Sequence, residues 1–271
     1  AIAALKHGII NIDTTHSCTG KIGFGNRLYH CWKTNGHGKM NVTDAIKQSC
    51  DVFFYEISKK LGIDKIAEVA KDFGLGQSYD ISMPNQKTGI IPNKKWKKEK
   101  IGESWYAGET LISAIGQGFV LTNPFQLAVM TSIIASNGKI VEPTIIKDNT
   151  VSFKTNEKYS KEIKIIKKAM FQVVNENKGT AFKSRLEDIK FAGKTGTSQV
   201  RRISLSERES DDFREKEQEW KNRDHALFVG YMPYDDPKYS ISVIIEHGGS
   251  GASTAAPIAK QIFNYINELE V

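Results

Sequence analysis

A lysine, a hydroxyl and a glycine stand in a row twice, in "MPNQKTGIIP" (83–92) and in "FAGKTGTSQV" (191–200). An ammonium and hydroxyls along an exposed strand edge suit one ligand, an extended peptide held by its terminal carboxylate. Context separates the two copies. Lys87 follows the turn residues Pro84-Asn85-Gln86 and precedes Pro92, which predicts a lysine in a surface loop. Lys194 lies in a β-rich run that two later runs, "HALFVGYMP" and "YSISVIIEHGG", can join as hairpin partners. On such a strand Thr195 and Thr197 share one face, Lys194 and Gly196 the other. Gly196 then lets another backbone lie close to the strand. The tripeptide alone fits equally a strand with threonine for β-propensity and glycine for a bulge.

A second constellation lies upstream. The three cysteines fall within residues 18–50, and with His37 they read Cys18-x12-Cys31-x5-His37-x12-Cys50. Three thiols and an imidazole are a closed tetrahedral set for structural zinc. They would order a glycine- and histidine-rich loop (11–50) with few apolar residues. His16 and His30 are alternative imidazoles. A Cys18–Cys31 disulfide with Cys50 buried, or three separate reduced thiols, are the readings set against zinc.

The elements that must hold these residues are largely helical at first and strand-rich later. "AIAALKHGII" has a helical apolar pattern without a cap, as though the sequence begins partway into a domain. "NVTDAIKQSCDVFFYEISKKLG" reads as one helix, with Thr43 as N-cap and Gly62 as stop. A short helix over 63–74 ends at Gly74, and 75–109 is proline-, glycine- and lysine-rich and irregular. In "TNPFQLAVMTSIIASNG" Thr122 or Asn123 caps, Pro124 opens the first turn and Asn137-Gly138 stops. Amphipathic helices cover 161–176 and the C-terminal stretch from Ser253. A charged insert at 201–223 separates the first β-run from the second and reads as a solvated loop or helix. Helices gathered first and strands last predict an α+β domain with an antiparallel sheet flanked by helices.

Composition narrows the function. Of 271 residues 39% are hydrophobic and 25% charged, which excludes wholesale disorder. The net charge of +7 would suit an anionic polymer or lipid face. The most basic run, "NKKWKKEK" (93–100), lacks aromatic interleaving, reads as a solvated loop and gives no reason to expect a nucleic-acid partner. No apolar run approaches the ~20 residues of a membrane span, and no signal-peptide pattern opens the sequence.

Two stretches add to the lysine-threonine-glycine run of "FAGKTGTSQV": Ser49-Cys50-Asp51 at a helix start, and Gly116-Gln117-Gly118 followed by Thr122-Asn123-Pro124. In order and spacing they resemble the transpeptidase domain of class B penicillin-binding proteins, most closely the elongation-specific penicillin-binding protein 2 group. Ser-x-x-Lys, Ser-Asp-Asn and Lys-Thr-Gly form the motif set of that superfamily; Asp51 stands where much of the superfamily carries asparagine, and the penicillin-binding protein 2 group often carries aspartate there. The resemblance covers 1–271 and implies the penicillin-binding protein/serine β-lactamase-like fold. It further implies a D,D-transpeptidase that cross-links peptidoglycan stem peptides through a serine acyl-enzyme, is trapped by β-lactams, and needs no catalytic cofactor. Ser49, Asp51 and Lys194 would be catalytic, with Ser49 relaying a proton; Ser49 alone also reads as a helix N-cap. Lys194, Thr195, Gly196 and Thr197 would bind substrate, with the Thr197 N–H in the oxyanion hole. Trp105 and Tyr106 would wall the cleft, or else be core aromatics.

No Ser-x-x-Lys stands where that resemblance requires it, so the nucleophile is expected upstream of Ala1 and the fragment alone is expected to be inactive. The expected setting is the periplasmic face of the bacterial inner membrane, beside a glycan polymerase and other elongation proteins, with an N-terminal anchor outside these residues. A penicillin-recognising sensor or scaffold, or a serine β-lactamase or D,D-carboxypeptidase relative, are the alternatives.

Overall fold

A computed structural model describes residues 1–146, 153–155, 157–201 and 219–270. Helix α1 (Ile2–Lys6) is followed by four short strands: β1 (His16–Cys18), β2 (Lys21–Phe24), β3 (Arg27–His30) and β4 (Gly38–Met40). The stretch 11–39, expected to be loop, thus holds two antiparallel ladders, β1 with β4 and β2 with β3. Strands of three or four residues are too short to show an alternating pattern in sequence.

The helix expected over 41–62 is two helices, α2 (Val42–Lys47) and α3 (Asp51–Leu61). The break falls at Ser49, whose φ of +53° is in the left-handed region, at a cost of about 1–3 kcal/mol for a residue other than glycine. Asn41, not Thr43, caps α2 by accepting from Asp44 N, whereas Gly62 ends α3 as expected. Helix α4 (Ile63–Asp72) stops before Gly74, whose φ is +86°.

The basic run at 93–100 is not a loop. Asn93 accepts from Trp96 N and starts α5 (Lys94–Lys100). Within it Lys97 is buried, with Nζ 2.6 Å from Glu109 and 3.4 Å from Glu103. Helix α6 (Ala107–Ala114) was also hidden in the irregular region; Glu109 accepts from the Tyr106 N–H at its start. Helix α7 (Pro124–Ala135) has the Asn123 cap and the first-turn proline that the sequence announced.

Strands β5 (Lys139–Val141) and β6 (Phe153–Thr155) pair, and α8 (Ser160–Asn175) follows. The sheet comprises β7 (Ala192–Ser198), β8 (His225–Met232) and β9 (Tyr239–Ile245), antiparallel in the order β7-β8-β9. A single turn (Gly251–Ala255) leads into α9 (Ala256–Glu270). The expected insert lies outside the described residues except near its end, where Trp220–Asn222 forms a 3-10 turn.

Alternation on β8 directs side chains to two helical layers. Phe228 and Phe191 pack together, and Phe191 packs at a tilt against Phe263 of α9. Tyr231 faces the other way, beneath the Lys167 ammonium of α8, and Ser240 on that face donates to Ala128 O of α7. Helices therefore cover both faces while β7 is left at the edge. This architecture is the expected α+β one. No helix among the described residues is long and apolar enough to cross a membrane.

Candidate active site

The break between α2 and α3 does for Ser49 what a helix could not. It turns the side chain out of the helix and onto the sheet, where Lys194 Nζ donates to Ser49 Oγ and, at 2.7 Å, to Thr195 O. Ser49 is not the N-cap of α3; Cys50 holds that position and makes no side-chain capping bond. Lys194 is partly buried, and that burial pushes its ammonium down to about 8, against the pull of the Asp51 charge.

Asp51 opens α3, but its Oδ2 accepts from Trp32 N at 2.9 Å. Burial, followed by charge on Cys31, pushes its carboxyl up to about 7. The carboxyl thus faces the cysteine loop and acts on Lys194 through its field.

On β7, Thr195 Oγ1 lies 2.7 Å from Thr180 Oγ1, and Thr180 N donates to Lys47 O at the end of α2. Gln117 borders the same strand. Its Nε2 donates to Thr197 O at 2.8 Å, and its Oε1 accepts from Gln199 N at 3.2 Å. The N–H and C=O of one strand residue point to one side, so the Thr197 N–H faces the side where Gln117 lies. Sequence reasoning gave Thr180 no role and Gln117 only a place in a motif, because both act through contacts distant in the chain.

The expectation for Gly196 holds in a shifted form. A side chain at Gly196 would meet only Leu227 Cβ, at 3.3 Å. The close backbone approach involves Gly251, where a Cβ would lie 2.3 Å from both Gly196 O and Leu227 O. Trp105 donates to Thr110 Oγ1 and packs near Phe119, with ring centroids 6.4 Å apart, while Tyr106 is exposed over the Lys97 ammonium. Among the described residues neither has a hydrogen bond or ring contact to 194–197.

The second copy, Lys87-Thr88-Gly89, has an exposed lysine, as expected. Its backbone is clamped at the start of α7, where Asn123 donates to Lys87 O and Gln126 to Thr88 O. The string Ser136-Asn137-Gly138-Lys139 has Ser-x-x-Lys spelling, but Ser136 ends α7 and its hydroxyl donates to Ser132 O.

Cys18, Cys31, His37 and Cys50 come together, with one ligand atom from each all within 4.8 Å of one another. His37 Nδ1 is 3.4 Å from Cys31 Sγ and 3.7 Å from Cys18 Sγ. All three cysteines are buried and free in this structure. His16 packs instead against Phe53. Tetrahedral ligands on bonds of ~2.3 Å stand about 3.8 Å apart, so the set fits a zinc ion with a small contraction.

Such a strand edge, with a partly buried ammonium against a serine hydroxyl, can bind a carboxylate and pass a proton beside it. A family model described as the penicillin-binding protein transpeptidase domain matches residues 1–264. The chain belongs to this family. The peptidoglycan D,D-transpeptidase MrdA of Haemophilus influenzae is 33% identical over 98% of the chain and 42% of its own length. The structure of a complex between penicillin-binding protein 2 (PBP2) and MreC from Helicobacter pylori is similar at a TM-score of 0.88 and 32% identity, covering 99% of this chain and 47% of that one. PBP2 of Pseudomonas aeruginosa, in complex with WCK 5153, gives 0.83 and 31%, covering 97% and 58%. The likeness to PBP2 read from the motif order is therefore real. The chain spans less than half the length of the curated relative from Haemophilus influenzae.

Proposed function

We propose that residues 1–271 form the transpeptidase domain of a peptidoglycan D,D-transpeptidase of the elongation-specific class. The Ser49–Lys194 contact at the edge of β7 carries this reading. Lys194, Thr195 and Thr197 hold the terminal carboxylate of a donor stem peptide, and the Thr197 N–H is one oxyanion donor. The nucleophile is the serine of a Ser-x-x-Lys pair, which the described residues do not place at this cleft. Its oxygen bonds to the penultimate D-Ala carbonyl carbon, the peptide C–N bond breaks, and its proton passes through Ser49 Oγ to the departing amine. The acceptor amine then attacks the ester. A new C–N bond forms, the C–O bond to serine breaks, and the proton returns along the same path. Asp51 acts on Lys194 through its charge, and Trp105 and Tyr106 shape the outer wall.

Cys18, Cys31, His37 and Cys50 hold a structural zinc ion, which fixes the start of α3 and with it Ser49 and Asp51. Catalysis itself uses no cofactor. The periplasmic face of the inner membrane and partners from the elongation machinery complete the reading, supported by the PBP2–MreC complex among the similar structures.

Intact mass after incubation with a penicillin tests the reading, on this chain and on the longest protein that contains it. A stable adduct on a Ser-x-x-Lys serine of the longer protein is expected. An adduct on a serine within 1–271 would reassign the nucleophile, and an adduct that turns over quickly would indicate a β-lactamase. No adduct on either would leave a sensor or scaffold and overturn the enzymatic reading.

A further inference from the structure

A cavity of about 660 Å³ is lined by Thr180 and Gln48, beside the cleft, and the roles assigned to the cleft residues do not use it. Its wall includes Lys33, Lys39, Lys47 and Lys178, with Asp44 as the one acidic residue. Lys47 is neutralised, 3.3 Å from Asp44 and 3.2 Å from Glu176. Lys33, Lys39 and Lys178 are exposed, and none makes an ion pair among the described residues. A groove bordered by one sign of charge concentrates the opposite sign. Trp32 supplies a flat apolar wall: it is 58% exposed, and its Nε1 donates to Gln48 O at 3.1 Å.

The groove's position gives its charge a meaning. Gln48 and Thr180 line it, and each is one step from the cleft: Gln48 precedes Ser49, and Thr180 touches Thr195. In the transpeptidase reading Thr195 and Lys194 hold the carboxylate of the departing residue, so the groove lies next to the leaving-group side. In the second half of transpeptidation an amine must enter from where the first amine left. The acceptor therefore occupies that side, and the chain attached to its amine runs outward from it.

We infer that this basic groove is the acceptor subsite, in which Lys33, Lys39 and Lys178 bind the free carboxylates of the incoming stem peptide and Trp32 packs on its apolar atoms. The inference rests on the transpeptidase reading and adds the site of the second substrate. The ammonium groups do no chemistry; they orient the acceptor so that its amine reaches the acyl-enzyme carbonyl.

The test uses the longest protein that contains this chain and a synthetic stem peptide with a free side-chain amine, its carboxylates either free or amidated. Binding of both forms is measured by calorimetry on the wild type and on the triple variant Lys33→Glu, Lys39→Glu, Lys178→Glu. The wild type is expected to bind the free acid roughly tenfold more tightly than the amide, with a difference that shrinks as salt rises. The triple variant is expected to bind both alike, and zinc content and melting temperature report whether it is folded. Equal binding of acid and amide by the wild type would overturn the inference, as would an undiminished preference in a folded triple variant. A peptide-free glycan that displaces the peptide as well as unlabelled peptide does would also overturn it. Penicillin acylation of the wild type judges the transpeptidase reading separately, because peptide binding needs no nucleophile.

Discussion

Lys194 Nζ donates to Ser49 Oγ across 145 residues of sequence, from the edge strand to the break between two helices. The contact sets a partly buried ammonium against a hydroxyl that a left-handed backbone, φ +53°, turns toward it. Through it the helical and sheet parts of the domain meet.

Removing that hydroxyl should leave a folded protein that acylates slowly. Ser49→Ala is expected to lower the rate constant for penicillin acylation of the active protein by about 10²–10⁴. Ser49→Gly suits the left-handed backbone and should show the same loss with an unchanged or higher melting temperature. A normal acylation rate in both variants would exclude a relay through Ser49.

The two lysine-threonine-glycine copies should respond differently. Thr195→Val removes the hydroxyl proposed to bind the carboxylate and leaves Thr180 Oγ1 without its 2.7 Å partner. Hydrogen bonds to charged groups contribute about 1.5–3 kcal/mol, so acylation should fall roughly tenfold to a hundredfold. Thr88→Val keeps the backbone clamp on Thr88 O and should change little. Equal effects would mean that the working copy has been misassigned.

Lys194 should set an alkaline limit. Burial pushes it from 10.5 down to about 8, so its positive charge, which attracts a carboxylate, is lost as pH rises through about 8. Acylation by a penicillin should decline over that range, and acylation by its methyl ester should not. Stability moves the other way. Between about 8 and 10.5 the unfolded lysine binds the proton and the folded one does not, so this group's contribution to stability rises with pH there. Parallel acylation profiles for acid and ester would remove Lys194 from carboxylate binding.

Gly251 should be less replaceable than Gly196. A Cβ at Gly251 would lie 2.3 Å from two backbone oxygens, of β7 and β8, while one at Gly196 meets a single side-chain carbon at 3.3 Å. Gly251→Ala is expected to destabilise the fold by about 1–3 kcal/mol, measured by urea unfolding, and Gly196→Ala by less. The reverse order would show that the turn before α9 can shift away from the sheet.

Metal should govern order around residues 11–50. One equivalent of zinc per chain is expected in protein purified under reducing conditions, by elemental analysis. Its removal by a chelator should speed amide exchange in the β1–β4 loop and at the start of α3, and Cys50→Ser should reproduce both losses. Reduced protein that lacks zinc yet keeps this region protected would rule the metal out.

Much of this could be read along the chain. The caps at Asn123-Pro124, the stops at Gly62 and Gly74 and the three β-runs are local signals, and each formed the element it announced. The motif order sufficed for the family, and the Cys/His spacing named the four residues that converge. Other features depend on partners far away in sequence. Lys97 reads as one more surface lysine in a basic run until Glu103 and Glu109 close over it. The helix break at Ser49 has no proline or glycine to announce it. The hydroxyl that looked like a cap is instead turned toward Lys194 by a strained backbone. Sequence determines which residues carry charge, hydroxyls and thiols, and where the chain prefers to coil or extend. Which of them face one another is decided by packing over separations of a hundred residues or more, because only the folded core supplies enough burial to hold a strained turn and a partly buried ammonium in place.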